Sequence, residues 1–166
     1  MANSSIIGKA KNKIIKDFIK DPVLLAAIGS PEADTLKPEK YLNKHIFNYN
    51  QNPFTLNTVT TFITVQVHIP QTYDWNKTFV TPTIEIWIIS HEKHMTVNNV
   101  PKITENRNDY ISEIIDNKLN GQSGYGIGTL NLVSNIEGSF QQDYLYRKMV
   151  FEGKDLNQSL CSKDEE

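Results

Sequence analysis

At 166 residues, with 39% hydrophobic and 10% aromatic content, the chain has the size and apolar share of one folded domain. Its formal charge of −2 argues against the strong basic footprint of a nucleic-acid binder, and its single cysteine, Cys161, excludes disulfide frameworks and cysteine-based metal clusters. No apolar run approaches the roughly 18 residues of a membrane span, and the start of the chain lacks a continuous apolar h-region, so a cleaved secretion signal is not expected.

The first element is a helix. Ile7, Ala10, Ile14 and Phe18, with Ile6, Ile15 and Ile19, recur at three- and four-residue spacing, and Ser4 or Ser5 can cap the start. Lys9, Lys11, Lys13, Lys16 and Lys20 alternate with these positions and read as a solvated helix face. Asp21-Pro22 restarts the chain as a cap and first helical position, Val23 to Ile28 form a second short helix, and Gly29 stops it. From Ser30 to Asn57, prolines 31, 38 and 53 among many asparagines predict a long irregular loop that lies on a surface through Tyr41, Ile46, Phe47, Tyr49 and Phe54.

Thr58–Ile69 carries the strongest pattern. Val59, Thr61, Ile63, Val65, Val67 and Ile69 alternate with Thr60, Phe62, Thr64, Gln66 and His68, and Pro70 ends the strand. Gln71–Pro82 reads as a turn-rich connection carrying Tyr73, Trp75 and Phe79. Thr83–Ser90 is a second strand, apolar enough for a central position, with Ile84, Ile86 and Ile88 on one face. The two strands are expected to pair as an antiparallel hairpin, with Trp87 in the core. A third helix, capped by Thr104 and closed by Gly121, carries Tyr110, Ile111, Ile114, Ile115 and Leu119. A flexible glycine turn, Gly121–Gly126, then leads to strands Ile127–Ser134 and Tyr144–Phe151, a second hairpin. The expectation is one α+β domain over residues 1–157, a mainly antiparallel four-stranded sheet with helices on one face, followed by a polar tail over 158–166.

Catalytic signatures are weak. His91, Glu92 and His94 could meet a metal ion, but their spacing is not that of the zinc-protease helix, and an exposed strand end explains them better. Gly121, Gly124, Gly126 and Gly128 follow a helix and precede a strand, the reverse of a dinucleotide fingerprint. Ser90 and His91 are adjacent on a strand and point to opposite faces. Glu105 and Asp109 sit where a helix start favours acidic groups. No enzyme activity, metal or cofactor is expected. The loop aromatics favour protein contacts instead.

The stretches IFNYNQNPFTLNTVTTFITVQVHIP, IEIWIISHEKHM, RNDYISEIID and YRKMVFEGKDLN resemble the small neck proteins of tailed bacteriophages, most closely the tail terminator, or tail completion, group. The resemblance covers most of the chain and lies in element order and texture. It implies a homo-oligomeric ring, commonly a hexamer, that caps the tail tube and joins it to the head-tail connector or stopper protein. DNA would pass its lumen without sequence-specific binding. It places the protein in the virion neck, and in the host cytoplasm during assembly. A head-completion stopper, a portal-tail adaptor, or a small module binding a host protein are the alternatives. On this reading Tyr41, Phe47, Tyr49, Phe54, Tyr73, Trp75 and Phe79 carry contacts between subunits or rings.

Overall fold

The computed structural model describes residues 4–30, 37–55, 58–69, 72–73, 76–140 and 143–153. Helix α1 (Ser4–Ile19) buries Ala10, Ile14 and Phe18 completely, the stripe its three- and four-residue spacing sets up. Helix α2 (Pro22–Ile28) begins as its sequence dictates. The Asp21 carboxylate accepts hydrogen bonds from the backbone N–H of Val23 at 2.9 Å and Leu24 at 3.2 Å, and Gly29 ends the helix at φ +66°. Asp21 also pairs at 2.8 Å with Lys118 of α3 (Arg107–Leu119), tying the two helices together.

The helices cover one face of a sheet built from β1 (Ile46–Phe47), β2 (Thr61–His68), β5 (Thr83–His91), β6 (Leu130–Phe140) and β7 (Tyr144–Gly153), in the order β1-β2-β5-β7-β6. Both expected hairpins form: β2 pairs antiparallel with β5 from Thr61↔Ser90 to His68↔Thr83, and β6 pairs antiparallel with β7. The architecture is the expected α+β one, but the sheet has five strands where four were expected. The fifth, β1, comes from the supposed loop and pairs parallel to β2 through Ile46↔Ile63 and Phe47↔Thr64. Short 3-10 turns at Pro38–Tyr41 and Pro53–Thr55 give that segment further regular structure. The connection after β2 is also structured, as a two-stranded hairpin of β3 (Thr72–Tyr73) and β4 (Asn76–Val80).

The main core lies between the helices and one sheet face. Ile63 and Val65 of β2, Ile84, Ile86 and Ile88 of β5, and Met149 and Phe151 of β7 are fully buried there against α1, α2 and α3. At one end this core is closed by polar groups. Thr61 Oγ1 lies 2.7 Å from Ser90 Oγ and 2.8 Å from His94 Nδ1; Ser90 donates to Asn108 Oδ1 at 2.7 Å, and Asn108 Nδ2 donates to the Leu145 carbonyl at 3.1 Å. Helix α3, which supplies Asn108, starts here and is capped by Asn106, whose Oδ1 accepts from Asp109 N at 3.0 Å, not by Thr104. The shift makes Arg107, 3% exposed, the first residue of the helix. Its guanidinium donates to the backbone carbonyls of His94 at 2.6 Å, Thr96 at 2.8 Å and Ala27. The glycine turn after α3 is anchored as well: Gly121 N donates to the Leu130 carbonyl at 2.8 Å, and Tyr125 is buried.

Candidate interaction face

The sheet face away from the helices carries the candidate site. Strand alternation places Phe62 of β2, Trp87 and Ile89 of β5, and Tyr144, Tyr146 and Lys148 of β7 on this outer face. Phe47, Phe62, Ile89 and Tyr144 form a second, smaller buried cluster, with Trp87, Tyr146 and Phe140 of β6 packed at its margin. The crossover from β1 to β2 runs across this cluster. Its Phe54 ring meets Tyr144 edge-on at 5.9 Å, and Tyr144 Oη donates to the Thr58 carbonyl at 3.3 Å.

Trp87, expected in the core, stands half-buried on this face. It stacks on Phe140 at 5.5 Å and meets Tyr146 at 4.8 Å, with the Lys148 ammonium 5.0 Å from its ring centroid. Its indole N–H donates to Glu85, which also pairs with Lys148 at 2.9 Å. Burial alone would raise the Glu85 carboxyl, but the Lys148 and Trp87 hydrogen bonds hold it below its ordinary value. Beside this cluster opens a groove of about 360 Å³ lined by Asn50, Gln51, Asn52, Pro53, Phe54, Trp87 and Phe140. Aromatic walls with a rim of side-chain amides suit a protein segment, which needs apolar anchorage and a few directed hydrogen bonds.

The expected contact residues divide. Tyr49 and Phe54 are exposed by 47% and 43% and stand at this face. Tyr41 and Phe47 do not: each is 2% exposed, Tyr41 packing on His45 at 5.4 Å in the main core and Phe47 on Phe62 at 5.7 Å. Their rings are committed to the chain's own packing, because the segment supplies a strand and the underside of a crossover. Trp75 and the side chains of Tyr73 and Phe79 lie outside the described residues. Trp87, Phe140, Tyr144 and Tyr146 were not foreseen at the site, although the alternation of Tyr144, Tyr146 and Lys148 already marks one face of a strand.

The histidine pair considered for metal binding is engaged elsewhere. His91 Nδ1 accepts from Lys93 N at 3.1 Å, while His94 lies between Thr61 Oγ1 and the Gly29 backbone. Burial, reinforced by the nearby Arg107 charge, lowers the His94 pKa to about 4, so it is neutral at pH 7. Among the described residues no three His, Cys, Asp or Glu side chains converge as a metal site would require. A second open cavity of about 360 Å³ contains an internally paired charge cluster: Arg147 Nε donates to Asp109 at 2.8 Å, and Arg147 Nη2 lies 3.2 Å from Glu137.

No curated protein matches the chain. A family model matches residues 12–152, from α1 to the end of β7, and this phage-related chain therefore belongs to the YomW family.

Proposed function

We propose that the protein is a structural subunit of the phage neck that works by assembly, as a tail terminator does: it forms a ring on the end of the tail tube and joins the tube to the head connector. The observation that carries this reading is the outer sheet face, where a half-buried aromatic cluster borders an open groove with exposed Tyr49 and Phe54 beside it. A closed ring needs a patch and its complement on every subunit. The groove supplies a concave partner surface, and each large apolar side chain buried in such a contact contributes about 1.5–3 kcal/mol. A non-enzymatic role is supported by the polar groups at the end of the main core. Thr61, Ser90, His94 and Asn108 bond to one another and to backbone, with their chemistry directed inward.

The test is light scattering and negative-stain microscopy over a concentration series, followed by co-sedimentation with purified tail tubes. Closed rings, or binding confined to tube ends, are the expected results. A chain that stays free of rings and ignores tube ends overturns the proposal. The Tyr49→Ala/Phe54→Ala variant should stay folded and lose most of the tube or ring signal.

A further inference from the structure

The two edges of the sheet are unequal. At one edge β1 is two residues long; at the other, β6 runs for 11 residues. Edge strands of this length are normally protected by lysine, proline or a covering element. Residues 133–140 of β6 contain no lysine or proline and one charged residue, Glu137, and they present Val133 at 46% and Ile136 at 52% exposure. The start of the edge is occupied: Leu130 exchanges backbone hydrogen bonds with Gly121 and Gln122, and Leu132 N donates to Asn120 Oδ1 at 3.1 Å. Beyond the bulge at Val133 no such partner is present among the described residues.

The bulge determines which backbone groups face outward. Leu130 and Leu132 direct theirs away from β7, and the extra residue between Leu132 and Ser134 shifts the alternation by one. The groups of Asn135, Glu137 and Ser139 therefore face outward, while Ile136 bonds inward to Lys148 across the ladder.

We propose that this edge pairs with the same edge of a second copy of the chain, antiparallel about a two-fold axis through Ile136. In this register Ile136 faces Ile136 of the second copy, joining two exposed apolar side chains on the outer face. On the other face Asn135 meets the second copy's Glu137. Asn135 Oδ1 accepts from Arg147 Nη1 at 3.1 Å, which leaves its Nδ2 to donate to that carboxylate. The shifts by one pair step either way are poorer. One sets Glu137 against Glu137, like charge on like, and the other sets Asn135 against Asn135 and separates the isoleucines. The contact closes at two copies, so it blocks open-ended strand addition at this edge. It does not form a ring, and it stands or fails independently of the neck reading.

The register is tested by disulfide trapping in the full chain with Cys161→Ser. Opposed residues in a non-hydrogen-bonded antiparallel pair lie about 4.5 Å apart at Cα, within disulfide reach. Ile136→Cys should give a cross-linked dimer under mild oxidation. Val133→Cys, of similar exposure, should not, because it faces Ser139 of the second copy. In sedimentation without a cross-link, the parent chain should show a two-fold step in mass with concentration, whether or not larger rings also form, and Ile136→Lys should abolish that step while leaving its circular dichroism unchanged. Equal trapping at positions 133 and 136, or no trapping at 136, overturns the proposal, as does a dimer insensitive to Ile136→Lys.

Discussion

Gly29 provides a quantitative test of how the helix face is assembled. It adopts φ +66°, and a Cβ added there would overlap Arg107 Nη1. In Gly29→Ala two costs combine. The left-handed backbone costs an alanine about 1–2 kcal/mol. Expelling the guanidinium from the Ala27 carbonyl costs about 1.5–3 kcal/mol more, the worth of a hydrogen bond to a charged group. The expected loss is about 2.5–5 kcal/mol, a large part of a small domain's stability. Gly126→Ala serves as the control, since Gly126 has φ +76° and nothing within 4 Å of an added Cβ. It should lose only about 1–2 kcal/mol, the backbone cost alone.

Urea denaturation at pH 7 reads both losses as midpoint shifts at constant slope. A double-mutant cycle isolates the clash: in an Arg107→Met background, Gly29→Ala should fall to the cost of Gly126→Ala. The reasoning is refuted if Gly29→Ala costs no more than Gly126→Ala, or if its full cost persists without Arg107.

His94 makes stability depend on pH. Its folded pKa is about 4 against an ordinary 6.5, so between these values the unfolded chain binds a proton that the folded chain refuses. Stability should be full above pH 6.5 and fall as pH drops towards 4, with a smaller fall in His94→Gln, as measured by urea midpoints across that range. Gly138 faces Tyr146 closely enough that an added Cβ would lie 2.5 Å from the ring's Cζ. Gly138→Ala should therefore push Tyr146 off its contacts with Trp87 and Phe140, costing about 1–2 kcal/mol and changing the near-ultraviolet circular dichroism. Ile89→Ala, at a position 1% exposed, should cost about 2–5 kcal/mol in thermal or urea unfolding, showing that the outer cluster is a real second core.

What was legible in the sequence was what alternation or helical spacing records within one segment. β2 and β5 announce themselves because four apolar or threonine positions, Thr61, Ile63, Val65 and Val67, alternate in the first and three isoleucines in the second. β1 could not be read this way. Two residues have no period, and the strand exists because Ile63 N donates to the His45 carbonyl at 2.7 Å, a contact between distant positions. The same limit hides the polar closure of the core, whose Thr61, Ser90, His94 and Asn108 come from three separate stretches of chain.

Trp87 shows the matching limit at the site. Period two assigns it to the face opposite Ile86 and Ile88, but nothing local says how well that face is covered. Coverage depends on the path of the crossover, which passes over Phe62, Ile89 and Tyr144 and leaves a groove beside Trp87 and Phe140. One sheet face is thus consumed by three helices and gives the domain its stability. The other is closed only in part, and that incomplete closure leaves apolar surface for a partner without exposing the main core. On the proposed reading, a substitution at Tyr49 or Phe54 therefore weakens association while sparing the fold, whereas one at Tyr41 or Phe47, each 2% exposed, acts on folding first.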